Sequence, residues 1–178
     1  QAASVRGTVP PELLHGAALH ADSVTPAELK TLVDTGSVQV VDFATSLQFR
    51  EGHIPGAWHA VRSRLPDNLK KIPAAPLLVF TAAEETLARL AASDALKLVA
   101  SPVKVLAGGN AAWRAAGFVS ETGDARMTGA ADDLSYRALD RKDNVEQAML
   151  EYLSWEVELV NAVATDPDFH FRRYPLQV

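Results

Sequence analysis

Three short apolar runs punctuate the first two thirds of the chain: Val38 to Phe43 (VQVVDF), Leu77 to Phe80 and Val103 to Leu106. Each is rich in β-branched or large aliphatic residues and carries few polar side chains, the pattern of a strand covered on both faces of a sheet. Helical spacing follows the second and third runs, over Glu84 to Leu98 and Asn110 to Ala116. Ahead of the first lies SVTPAELKTLVDTGS, with Thr25 placed as N-cap, Pro26 at the first helical position and Gly36 as the stop. Glu28 stands three residues past the cap, so Thr25 and Glu28 spell a capping box, and Leu29, Leu32 and Val33 supply the apolar stripe. Strands alternating with helices predict βαβ units, right-handed crossovers and a mainly parallel α/β sheet.

The ends of the chain read differently. Residues 1–21 contain Pro10-Pro11 and scattered Ala and Gly without a sustained period, which predicts a linker with at most a short helical turn near Pro11. An ordered domain is expected over residues 22–123. Residues 124–178 begin with the polar run DARMTGAADDLSYRALDRKDN and then turn periodic. Val145, Met149, Leu153, Val157 and Val160 recur at spacings of four, four, four and three, predicting an amphipathic helix over Val145 to Ala164. Asp166-Pro167-Asp168 ends it, and FHFRRY alternates like a short strand or extended arm. The helix is expected either to pack back on its own domain or, with Trp155, Leu159 and Val163 widening the apolar stripe, to clamp a neighbouring domain or a second copy.

Composition narrows the function classes. At 178 residues, 48% hydrophobic and 22% charged, with a net charge of -5, the chain has the make-up of a globular protein rather than a disordered one. It lacks the clustered basic face that nucleic acid requires, so no nucleic-acid partner is expected. There are no cysteines, which removes disulfides, thiolate metal sites and thiol nucleophiles together. No run is long and apolar enough to span a membrane, and the N-terminus has no signal-peptide core. A soluble, cytoplasmic protein without a membrane partner is expected. The first residue is Gln1 rather than Met, as in a processed chain or a piece of a longer polypeptide.

Two segments are specific enough to suggest a family. FREGHIPGAWHA contains Gly52, His53, Ile54, Pro55, Gly56 and Ala57, and VLAGGNAAWRAAG contains Gly108, Gly109, Ala112, Trp113 and Gly117. With Asp42 ending the strand before them, these elements resemble the signatures of the rhodanese homology domain, in the right order over about residues 22–123. The resemblance implies a small doubly wound α/β domain, its mainly parallel sheet carrying helices on both faces, here with a C-terminal helical tail. Active members hold a nucleophilic cysteine at the end of the strand equivalent to Leu77–Phe80, followed by a six-residue loop whose backbone N–H groups cradle a persulfide. In this chain the cysteine position is Thr81, and the loop reads Thr81, Ala82, Ala83, Glu84, Glu85, Thr86. A hydroxyl cannot carry a transferable sulfane sulfur, and two carboxylates stand where a thiosulfate dianion needs cations. Ala44 also replaces the arginine that active members commonly place beside the pocket.

These departures predict no catalytic residue and a vestigial loop. Thr81 and Glu84 spell T-x-x-E, which predicts a second capping box with Glu84 and Glu85 in the first helical turn. Asp42 is expected to make local hydrogen bonds, His53, Pro55 and Gly56 to shape a turn, Gly108 and Gly109 to turn a strand tightly into a helix, and Trp113 to pack that helix on the sheet. The histidines, His15, His20, His53, His59 and His170, lack metal-like pairing, so no metal and no cofactor is expected. The reading is a non-catalytic rhodanese-like domain with a structural, docking or regulatory role in a larger sulfurtransferase, its partners other rhodanese domains of the same chain or a second copy. Two alternatives remain. The chain is part of an active thiosulfate or mercaptopyruvate sulfurtransferase whose cysteine lies in another domain, or it is a small-anion sensor.

Overall fold

The computed structural model of the protein describes residues 21–134, 137–140 and 144–168. Its chain divides into two units, residues 1–134 and 135–178. The first unit holds strands β1 (Ser23–Val24), β2 (Gln39–Asp42), β3 (Trp58–His59), β4 (Leu78–Thr81) and β5 (Val103–Leu106), with helices α1 (Pro26–Asp34), α2 (Ser46–Glu51), α3 (Leu65–Leu69), α4 (Glu85–Ala95) and α5 (Gly109–Ala115). The strands form one sheet in the order β1-β5-β4-β2-β3, and every pairing is parallel.

Alternation along the strands sorts the core onto the two faces. Val41, Leu78, Phe80, Val103 and Val105 pack with Leu65 of α3 and Ala88, Ala91, Ala92 and Ala95 of α4. Val40, Val79 and Leu106 face the other way, against Leu29 of α1, Phe49 of α2 and Trp113 of α5. The column of four buried alanines lets α4 lie close on the sheet, while the opposite face is filled by two large rings. Burying a Phe or Val side chain contributes roughly 1.5–3 kcal/mol, so these two layers carry most of the drive to fold.

Winding reverses between the neighbours β2 and β4. From β2 the chain continues to β3 on one side, whereas β4 continues to β5 on the other. In open α/β sheets ligands bind beyond the carboxyl ends of the strands at such a reversal. Here those ends are Asp42 and Thr81, which are partners in register.

The N-terminal capping box forms as spelled: Thr25 N–H donates to Glu28 Oε2 at 2.7 Å and Glu28 N–H to Thr25 Oγ1 at 3.3 Å. The second does not. Thr81 is still in β4, the turn takes up the next three residues, and α4 begins only at Glu85, with Glu84 at the N-cap and no side-chain cap bond. Thr81 is therefore too early in the chain to cap, and its hydroxyl is committed elsewhere. A capping box does form at Thr45 and Gln48, on the T-x-x-Q that opens α2.

Residues 124–134, polar in sequence, belong to the first unit. Thr128 donates its N–H and its hydroxyl to His59 O at 3.2 and 2.8 Å, and Ser46 N–H donates to Asp133 Oδ2 at 2.8 Å. The second unit contains α6 (Val145–Thr165), preceded by a 3-10 turn over Ala138–Asp140. Ala148 is buried, but Met149, Leu150, Leu153, Trp155, Val157 and Val160 are exposed. Among the described residues no helix is long and apolar enough to cross a membrane. The expected linker up to residue 20, the FHFRRY segment, residues 141–143 of DRKD, and His15, His20 and His170 lie outside the described residues.

Candidate functional site

At the winding reversal the two strand ends and the start of α5 meet. Asp42, Thr81 and Asn110 are 0%, 0% and 5% exposed. Thr81 Oγ1 donates to Asn110 Oδ1 at 2.7 Å, and Asn110 Nδ2 donates to both Asp42 oxygens at 3.0 and 2.8 Å. Ala44 N–H adds a further donor to Asp42 Oδ1 at 2.8 Å. The chain of polarity is self-consistent: a carboxylate accepts, so the amide nitrogen faces it and the amide oxygen is left for the hydroxyl proton. Burial pushes the Asp42 carboxyl above its ordinary value, while Ala44 N–H, the Asn110 amide, His59 and His53 pull it back.

The chemistry this permits is limited. A hydroxyl nucleophile needs a base on its proton. The proton of Thr81 rests on an amide carbonyl, and Asn110 stands between it and Asp42, the one buried carboxylate among the described residues. Ala44, at the position of the expected arginine, is buried and accepts from His59 Nε2 at 2.9 Å through its carbonyl.

The loop itself is stitched to the β5–α5 turn. Asn110 N–H donates to Ala82 O at 2.9 Å, and Gly108 N–H donates to Glu85 Oε2 at 2.7 Å. Glu85 Oε1 receives Arg89 Nε at 2.7 Å, and Arg89 reaches on to Ala21 O and Ser23 Oγ at 3.1 and 2.7 Å. The Gly108 N–H, with help from Arg89, holds the Glu85 carboxyl below its ordinary value. Ala82 is buried, Ala83 half-buried, and Glu84 and Thr86 exposed. Gly109, at φ +59°, admits this close approach: a Cβ there would lie 2.5 Å from Ala82 O. Gly108, at φ +72°, could carry one only 2.7 Å from the Ala112 Cβ.

The other motif residues serve the frame. His53 is stacked on Phe49 with centroids 3.7 Å apart, and its Nδ1 lies 2.7 Å from Phe49 O. Its backbone exchanges two 2.9 Å bonds with Glu121, whose Oε2 accepts from Gly56 N–H at 2.8 Å. Pro55 and Gly56 form the turn, with Gly56 at φ +78°. Trp113 is buried, and its indole N–H donates to Val119 O at 3.0 Å. Sequence reasoning missed Asn110 as the hub of the buried chain, and it missed Glu121 and Arg89. Their roles rest on partners far along the chain, which no local period signals. Among the described residues no three His, Asp or Glu side chains gather as metal ligands would.

The fold is shared with known proteins. The rhodanese-like domain family matches residues 25–116, 92 of the 178. A solved structure, the thiosulfate sulfurtransferase from Pseudomonas aeruginosa, matches at TM-score 0.78 and 33% identity, over 88% of this chain and 30% of that one. Thus the chain spans under a third of that relative's length. The match, 0.88 × 178 or about 157 residues, exceeds the 134 of the first unit and extends into the second. A Rhodopseudomonas palustris protein of unknown function, described as a possible tyrosine phosphatase, matches at TM-score 0.52 and 27% identity over 66% of this chain and 100% of its own. An Anabaena protein at 22% identity and TM-score 0.51, over 56% of this chain and 82% of its own, shares the fold. No curated protein matches the sequence.

Proposed function

The chain belongs to the rhodanese-like family, and from that premise we propose that it is a catalytically silent member whose role is structural: it docks on other rhodanese domains within a larger sulfurtransferase. One observation carries the reading. In a chain without cysteine, the position where active members hold their thiol is a buried threonine whose hydroxyl is spent on Asn110. Fold alone would suggest sulfur transfer, but function resides in the site, and this site has no sulfur carrier. The placement in a larger enzyme is supported by the likeness to the Pseudomonas aeruginosa thiosulfate sulfurtransferase, which is longer than this chain and matches it into its second unit.

The alternative, an active thiosulfate or mercaptopyruvate sulfurtransferase that merely includes this segment, differs only in whether losing the segment matters. A small-anion sensor is disfavoured by Glu85, whose carboxylate already occupies the Gly108 N–H beside the loop. The proposal sets the domain in the cytoplasm, and recovery of the native protein from another fraction would revise that setting.

The test is thiosulfate-to-cyanide transfer by the longer chain, by the same chain lacking residues 21–178, and by the 178-residue chain alone. The 178-residue chain is expected to be inert, and removal of residues 21–178 to lower the rate or the folded yield of the longer one. Turnover by the 178-residue chain would sink the silent reading, and an unchanged truncated enzyme would sink docking.

A further inference from the structure

The second unit carries an exposed apolar surface on α6. Met149, Leu150, Leu153, Val157 and Val160 follow one another at steps of one, three, four and three, so they share one face of α6. Each is at least 44% exposed. A helix of this length draws its stability in water chiefly from packing an apolar face rather than from propensity, so such a stripe calls for a cover. The charged residues of α6 are Glu146, Glu151, Glu156 and Glu158, with no Lys, Arg or His among its 21 positions. Four negative charges of a chain whose net charge is -5 thus sit on one helix.

That charge pattern selects the occupant. Glu146 and Glu156 border the stripe while Glu151 and Glu158 lie on the far side of the helix, so a second copy laid on the stripe would bring the first pair against its own counterpart. A membrane surface favours helices with Lys and Arg on the polar face, the opposite of this one. An apolar groove edged by Lys or Arg satisfies both the stripe and the glutamates beside it. The likeness to the longer Pseudomonas aeruginosa chain reaches into this unit. The Rhodopseudomonas palustris protein is covered whole while matching only 0.66 × 178, about 117 residues, fewer than the 134 of the first unit.

We propose that the apolar face of α6 docks into a basic-edged apolar groove on another domain of the longer chain. This rests on the docking role proposed above and names the surface that performs it.

The experiment mixes the 178-residue chain with the remainder of the longer chain, made separately, and follows binding by calorimetry at low and high salt. Leu153→Asp is expected to weaken binding at least ~10-fold, as loss of a central apolar anchor does. The pair Glu146→Lys with Glu156→Lys should weaken it several-fold at low salt, with the gap closing at high salt as screening removes the charge contribution. Circular dichroism at 222 nm checks that α6 persists in each variant. Binding that survives both sets of changes would leave the docking role standing and overturn α6 as its surface. A dimer of the 178-residue chain abolished by Leu153→Asp would make a second copy the occupant, and co-sedimentation with phosphatidylcholine vesicles would make it lipid; either overturns the inference. If nothing binds and removal of residues 21–178 leaves the longer enzyme unchanged, the docking role itself fails.

Discussion

The buried side chains at the winding reversal and the exposed face of α6 are opposites in how they settle their groups. At the reversal, every side-chain polar group of the Thr81, Asn110 and Asp42 chain finds its partner within the same unit, across 29 and 68 residues of sequence. On α6, Met149, Leu153 and Val157 stay exposed at the spacing of a packed face. A catalytic cleft needs groups left unsatisfied until substrate arrives, and a docking surface needs apolar area left uncovered until a partner does. Among the described residues, the polar groups at the strand ends are paired and the apolar face of α6 is uncovered.

Four changes test that contrast, the largest effect first. Asn110→Ala strips the buried Asp42 of its amide donor and the Thr81 hydroxyl of its acceptor, and is expected to cost about 3 kcal/mol in urea unfolding at neutral pH. Because the Asn110 amide holds the Asp42 carboxyl down, its removal raises that carboxyl further. A carboxyl raised in the folded state binds its proton more readily there, so the loss should grow as pH rises and shrink in acid. A loss independent of pH would mean that Asp42 is not the group left exposed to the cost.

Gly109→Ala should cost about 2 kcal/mol, since the added Cβ meets Ala82 O and the residue needs a positive φ. No loss would show that the two turns are not stitched tightly. Glu85→Gln should cost about 1 kcal/mol near pH 7. The Glu85 carboxyl lies below its ordinary value when folded, so its stabilisation is full above the ordinary glutamate value and fades as pH falls through the lower folded one. The difference between wild type and Glu85→Gln should therefore narrow at low pH. Leu153→Asp, at the other extreme, should shift the unfolding of the first unit by no more than about 0.5 kcal/mol, as surface changes do. A large loss there would mean that Leu153 is already covered by its own chain.

Much of the frame is legible in the sequence. The apolar runs containing β2, β4 and β5 announced themselves because strands buried on both faces leave no room for polar residues, and Thr25-Pro26 with Glu28 marked α1 unambiguously. β1 and β3, two residues each, are too short to show a period, and they exist because the neighbouring strands β5 and β2 offer edges. Thr81 and Glu84 illustrate a different failure. Their spacing satisfies a capping box, but pairing with Asp42 carries β4 through Thr81, and the longer-range demand decides. The missing thiol was plain from the sequence, whereas its replacement by a closed chain through Asn110 was not, because that chain is assembled by the register of β2 on β4 and the close approach at Gly109.

The closed chain also bears on what a single exchange could bring to the strand end. A thiol placed at position 81 would sit where the buried threonine sits, facing an amide already oriented toward Asp42, beside a loop tied to the β5–α5 turn through Glu85. Such an exchange meets contacts that are already satisfied, so the neighbours Asn110 and Glu85, and not position 81 alone, set what this end of the sheet can hold.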